Sequence, residues 1–243
     1  MKLFAVFVLS CFGFTLCGAQ VINRVRLVDH TSYVINFITK TVNTVEDKGW
    51  YSFKLPDYVQ YVNESLLTSP VVGKLTYHNG FVVSVQHVDI QQSTVQQVWG
   101  YNSASGDTTV SVRGTLRMHE VAIGYDVIAE LDDDNEPYHY TMTFVHPMIT
   151  YAFSVSFILF VIHDAYRGNL SVTVLGTVSR VTNRLPSFIP QDSVTDIITY
   201  VFDPNAELPA GMAAWGPEVF QPITYELVTK EIPFPQFCYN CAT

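Results

Sequence analysis

Residues 151–162, YAFSVSFILFVI, constrain this chain more than any other stretch. The odd positions Tyr151, Phe153, Val155, Phe157, Leu159 and Val161 are all apolar. The even positions begin small or polar (Ala152, Ser154, Ser156) and end apolar (Ile158, Phe160, Ile162). Period two marks a strand, because successive side chains point to opposite faces of a sheet. A strand apolar along one face, and on both faces at one end, must be covered there. The rest of the chain is therefore expected to build and cover a sheet. The longer apolar run 148–162 is short for a membrane-spanning helix and carries Ser154 and Ser156, so it reads as a buried strand.

The same alternation recurs nearby. In 108–118, Val110, Val112, Leu116 and Met118 fall on one face, and Ser111, Arg113, Thr115 and Arg117 on the other. In 121–131, Val121, Ile123, Tyr125, Val127, Ala129 and Leu131 share a face. Strands are also expected over 138–145, ending before Pro147, and over 170–179. With 151–162 these make five closely spaced segments, which implies an antiparallel meander, since parallel pairing needs long crossovers. Residues 102–107 (NSASGD) and 132–137 (DDDNEP) read as turns. The acidic turn lacks the spaced ligands and glycine of a calcium loop. Upstream, 73–89 has strand pattern, with Asn79-Gly80 as the two-residue turn of a hairpin. Residues 91–97 are polar and ambiguous, and 50–70, with Pro56, Pro70 and several aromatics, has the character of a linker.

Helical spacing appears at both ends. Residues 20–48 place Val34, Ile38, Val42 and Val45 on one stripe beside Phe37, with Asp29 or Thr31 as a cap and Gly49 as the stop. Residues 191–202 repeat the pattern with Val194, Ile197, Ile198, Val201 and Phe202, capped by Asp192 or Ser193. After a break at 203–209, residues 217–232 form a further helix with Pro222 in its first turns. Strands and helices are segregated along the chain, which is the α+β pattern.

The first residues read as a targeting segment. Lys2, the apolar run 3–16 and the small-x-small triplet Cys17-Gly18-Ala19 make a cleavable secretory signal, too short to be an anchor. The expected organisation is a signal peptide over 1–19, one domain over 20–232 and a Pro- and Cys-containing tail over 233–243. Two sequons, at Asn63 and Asn169, are then available for glycosylation. Cys238 and Cys241 have redox-motif spacing but follow Pro233 and Pro235 at the chain end. A small local disulfide is expected, with an intermolecular bridge as the alternative; zinc would need two more ligands.

Little else suggests chemistry. The seven histidines form no zinc-protease motif, and there is no nucleophile elbow, phosphate loop or dinucleotide fingerprint. His87 and Asp89 share a strand face, as many ordinary hydrogen-bonded pairs do. No catalytic residue, metal or cofactor is nominated. A formal charge of −9 argues against nucleic acid and does not favour docking on anionic lipid.

The helical stripe Val34–Ile38–Val42–Val45, the segment GKLTYHNGFVVSV (73–85), the strands over 108–131 and GNLSVTVLG (168–176) ahead of the last helices resemble the group 7 mite allergen-like proteins. Those are similar in turn to the juvenile hormone-binding and takeout proteins and to the bactericidal/permeability-increasing protein fold. Hormone carriers and takeout proteins carry an N-terminal disulfide. No cysteine lies between Cys17 and Cys238, which fits the mite-allergen-like branch better. The resemblance implies a long curved antiparallel sheet wrapped around a long N-terminal helix, with C-terminal helices, enclosing an apolar tunnel or cleft for a small hydrophobic or lipid ligand. The expected lining is Phe37 and Ile38 from the helix, with Val110, Val112, Leu116, Ile123, Tyr125, Val127, Phe144, Phe153, Val155, Phe157 and Leu159 from the strands. Two rival functions remain: an interaction or structural protein with a filled core, and a secreted hydrolase with a dispersed triad.

Overall fold

The computed structural model describes residues 25–27, 29–66, 69–133, 135–162 and 165–239. The signal segment and Cys241 lie outside them, as does the side chain of Cys238. Five strands make one antiparallel path in chain order: β2 (Tyr58–Leu66), β3 (Ser69–Tyr101), β4 (Thr108–Leu131), β5 (Tyr138–Ile162) and β6 (Ala165–Val178). A short β7 (Ser187–Ile189) pairs with β5 beyond the end of β6. β1 (Val25–Leu27) pairs with β8 (Phe237–Tyr239), so the two ends of the described chain meet.

The helices are α1 (His30–Lys48), α2 (Ser193–Val201), α3 (Leu208–Trp215) and α4 (Gln221–Lys230). Asp29 caps α1, its carboxylate accepting from the Ser32 N–H at 3.1 Å, and Gly49 takes φ +83° to end it. Tyr33, Val34, Phe37, Ile38, Thr41, Val42 and Val45 are buried at three- and four-residue spacing against β3, β4 and α4. α2 begins in a capping box made by Asp192 and Thr195. A π-turn over Gly216–Phe220 joins α3 to α4. Pro217 has no N–H to give an i−4 carbonyl, and the wider turn absorbs that loss. The helical run thus starts at Leu208, nine residues before the start read from the sequence.

Four further expectations are corrected. The first helix starts at His30, because Asp29 caps there and Val25–Leu27 is drawn into a strand by β8. Residues 58–66 are the edge strand β2, with Val62 inward and Tyr61, Asn63 and Glu64 outward. Asn79-Gly80 makes no hairpin. Asn79 adopts φ +54°, and the register slips between His78 and Phe81 while β4 remains the partner on both sides. The pair is a bulge inside one 33-residue strand. Finally, the segments 108–118 and 121–131 are one strand, and so are 138–145 and 151–162.

What looked like breaks is a crease. Buried side chains in β4 switch from even numbers (Leu116, Met118) to odd (Val121, Ile123), with Glu120 at φ +49°. β5 switches at the same level, from Phe144 and His146 to Ile149 and Tyr151. The register is unbroken across it, Met118 facing Ile149 and Val121 facing His146. Each strand carries one extra residue there, so the sheet bends without slipping. Pro147 fits because it falls between the stretch of β5 paired with β6 and the stretch paired with β7.

The core lies between the inner face of this sheet and the layer of α1 and the helical run 208–230. Among the described residues no helix is long and apolar enough to cross a membrane.

Candidate functional site

The thirteen expected lining residues all belong to, or pack against, the apolar core that runs through the molecule; all but Phe157 are buried outright. Aromatic rings run through it. Phe220 touches Tyr151, Phe153 and Phe53 at centroid distances of 4.7, 5.7 and 5.3 Å. Phe153 meets Phe37, which meets Tyr33. Beyond Tyr33, Phe234 stacks on Phe157, which is only half-buried. A second group, Tyr58, Tyr77, Tyr125, Phe202 and Phe144, fills the region next to α2. The buried tyrosine and threonine hydroxyls inside are paired. The Tyr151 hydroxyl donates to the Met212 carbonyl at 2.7 Å, and the Thr41 and Thr224 hydroxyls lie 3.1 Å apart where α1 meets α4. Burial of this kind pushes the Tyr151 phenol well above its ordinary pKa.

This interior meets the surface along a seam between α1 and β3. β2 pairs only with Ser69–Tyr77 of β3, so beyond Tyr77 β3 is paired within the path on one side alone, by β4, and α1 lies beside it. There α1 and β3 leave a groove of about 320 Å³. Its rim is polar: Thr39, Asn43 and Glu46 from α1, Gln86 and His87 from β3. Its floor is Val42, Val85, Val88, Ile90 and Leu116. Val85, Val88 and Ile90 are half-buried, the least enclosed members of the apolar cluster in this region. Its volume falls at the lower end of the ~300–1,000 Å³ range of small-molecule sites. α1 approaches the sheet closely here because of Gly114. A Cβ on it would come 2.5 Å from Val34 Cγ1 and 3.0 Å from Ile38 Cδ1. Of the expected lining, Leu116 reaches the groove; Val85, Val88 and Ile90 were not anticipated. Their alternation was visible, but which strand edge stays open depends on pairing that a single sequence does not show.

No protein-family model matches the chain, and no curated protein matches it in sequence. Among solved structures it is similar to lipopolysaccharide binding protein and to Takeout 1 of Epiphyas postvittana. The first match has 9% identity and a TM-score of 0.45, and covers 85% of this chain and 40% of that one. The second has 11% identity and a TM-score of 0.35, and covers 84% of this chain and 91% of that one. The chain thus spans less than half the length of the first. The expected resemblance to takeout-type proteins is met as a similarity of fold; at such scores it carries no argument about what is bound.

Titratable groups gather instead at the crease, on the strands read as His87-Asp89 and its neighbours. Asp89 does not engage His87. It accepts from Arg117 at 2.6 and 3.1 Å and from His119 Nε2 at 2.5 Å, and the His87 ring lies 5.7 Å from that of His119. The Arg117 hydrogen bond holds the Asp89 carboxyl below its ordinary range. Arg184 makes a two-pronged pair with Glu120 and likewise lowers that carboxyl. Among the described residues no three His, Cys, Asp or Glu stand together as a metal site.

His146, fully buried at the crease, has a testable consequence. Its Nε2 donates to the Ser179 carbonyl at 3.1 Å, while Nδ1 has no partner among the described residues. Burial lowers its pKa, the Ser179 carbonyl opposes that shift, and Arg184 and Glu120 act in opposite senses. A depressed histidine pKa means the unfolded chain binds the proton more readily. Stability contributed by neutral His146 is therefore complete above the unfolded pKa of about 6.5 and lost as pH falls below it. We expect urea midpoints to fall between pH 7 and 5, with a slope of at most about 1.4 kcal/mol per pH unit from this one proton. His146→Phe should flatten that window while leaving the loss below pH 5, which belongs to Asp89 and Glu120. An unchanged slope in the variant would place the acid sensitivity elsewhere.

Proposed function

We propose that this protein is a secreted carrier that binds a small hydrophobic or lipid molecule between α1 and the sheet, admitted along the seam with β3. The observation that carries this is the seam groove itself, polar at its rim and opening onto the apolar floor Val42–Val88–Leu116. Binding replaces protein–protein apolar contacts with protein–ligand ones and removes the ligand from water, at about 25 cal/mol per Å² of apolar surface. No nucleophile, metal or cofactor is needed for this. The expected signal segment fits an extracellular carrier, as do sequons whose Asn63 and Asn169 both stand exposed, on β2 and β6. A local Cys238–Cys241 disulfide belongs to the same proposal.

The test is native mass spectrometry with solvent extraction, on protein secreted from eukaryotic cells, followed by displacement of a fluorescent fatty-acid probe. A mature chain beginning at Gln20, with a co-purified apolar molecule, is expected. Val88→Lys places a charge on the groove floor at a half-buried site, where lysine can extend to solvent. It should weaken probe binding at least tenfold, about 1.4 kcal/mol, with a folded near-ultraviolet spectrum. Equal affinity in the variant would remove the seam from the reading. A clean apo mass with no probe binding would favour an interaction protein with a filled core.

A further inference from the structure

Beyond the end of α1, the same edge of β3 carries a second recess of about 410 Å³, within the ~300–1,000 Å³ range of small-molecule sites. Its walls are two aromatic rings that the fold leaves in water: Tyr51, 68% exposed, and Phe81, 44% exposed. Lys54 and Asp57 supply one charge of each sign, and neither makes an ion pair among the described residues. Leu55 and Gly80 form the floor.

The recess is held in place. The Leu55 N–H donates to the Gly80 carbonyl at 2.8 Å and the Val82 N–H to the Phe53 carbonyl at 3.1 Å, so residues 53–55 are tied to β3. The Trp215 indole donates to the Lys54 carbonyl at 2.6 Å. The Tyr51 ring rests against Gly49, where a Cβ would come within 2.8 Å of it. One Asp57 oxygen takes the Asn79 N–H at 3.1 Å, which orients the carboxylate and leaves its other oxygen for a ligand.

Aromatic side chains lining one recess are a recognised chemistry for a quaternary ammonium, and a carboxylate on the same lining adds the opposite charge. A lysine at the same recess adds a point charge for a phosphate. We infer that this recess binds phosphocholine-type zwitterions, the ammonium between Tyr51, Phe81 and Asp57 and the phosphate on Lys54. A fatty acid would leave Asp57 facing no cation, and a simple cation would leave Lys54 facing no anion. The inference does not need the seam to hold a ligand.

The experiment is an NMR and calorimetric titration of the full mature chain with choline, phosphocholine, inorganic phosphate and a short-chain phosphatidylcholine below its micellar concentration. Saturable phosphocholine binding is expected. Phe81→Ala and Asp57→Asn should each weaken both choline and phosphocholine at least tenfold. Lys54→Met should weaken phosphocholine about tenfold and leave choline unchanged, a split that a merely structural effect would not produce. Tighter binding of the lipid, lost in Val88→Lys as well as Phe81→Ala, would identify the source as a phospholipid whose tail enters the seam. Equal binding of lipid and free phosphocholine, untouched by Val88→Lys, would keep this site and count against the carrier reading. No saturable phosphocholine binding, or binding indifferent to Phe81→Ala and Asp57→Asn, would overturn the inference.

Discussion

Phe220→Ala is expected to destabilise the protein by about 3–5 kcal/mol, the usual range for deleting a fully buried aromatic ring. The site offers little scope for collapse. Phe220 is 1% exposed and stands where three elements meet: the Tyr151 and Phe153 rings from β5, Phe53 from the segment before β2, and its own helical run. Phe53 in turn meets Trp215 at 5.1 Å, and Phe153 meets Phe37, so the hole would interrupt the middle of the ring chain. For a domain of this size the loss corresponds to a fall in melting temperature of roughly 6–20 °C. Tyr225→Ala, on the exposed side of α4, is the control and should stay within about 0.5 kcal/mol. Urea unfolding followed by fluorescence checks both. A loss below about 1 kcal/mol at Phe220 would mean that the ring already borders empty space. The interior would then be a preformed cavity, where the described rings show contact.

That ambiguity between lining and core is the part the sequence could not resolve. Phe153, Val155 and Leu116 alternate in the same way whether they face a ligand or another side chain. The sheet itself was legible because alternation persists through β4 and β5. The crease reads, in the sequence, as a break between strands. The inward set changes from Leu116 and Met118 to Val121 and Ile123, a change of phase that looks like the end of one strand and the start of another. Only the unbroken pairing of Met118 with Ile149 and Val121 with His146 shows that the chain continues. Asn79-Gly80 misled for a related reason. A residue that tolerates left-handed backbone serves a bulge as readily as a turn, and the longer partner strand decides between them. α3 left almost no trace, since LPAGMAAW joins a proline, a glycine and three alanines. Leu208, Met212 and Trp215 are buried at i, i+4 and i+7, so the helix is fixed by what it packs against.

The closest of those contacts supports the second large effect. Gly176→Val is expected to cost at least about 3 kcal/mol, and Gly176→Ala about 1–3 kcal/mol, as over-packing against an element that cannot yield. A Cβ at Gly176 of β6 would lie 2.6 Å from the Ala213 carbonyl oxygen and 2.7 Å from its Cα. The opposing surface has the same feature, because a Cβ at Gly216 would lie 2.9 Å from the Val174 carbonyl oxygen. Backbone meets backbone there, so no side chain can rotate out of the way. α3 would have to shift outward, straining the Tyr151–Met212 and Trp215–Lys54 hydrogen bonds at 2.7 and 2.6 Å. Gly100→Ala, with nothing within 4 Å of the added methyl, should be neutral within about 0.5 kcal/mol. Matching urea midpoints for Gly176→Ala and Gly100→Ala would refute the locked contact. The contrast with α1 bears on function. At Gly114 the sheet meets only the tips of Val34 and Ile38, which can part from it. The helical layer is therefore locked backbone to backbone along β6 but meets β4 through side-chain tips, on the α1 side where the seam opens.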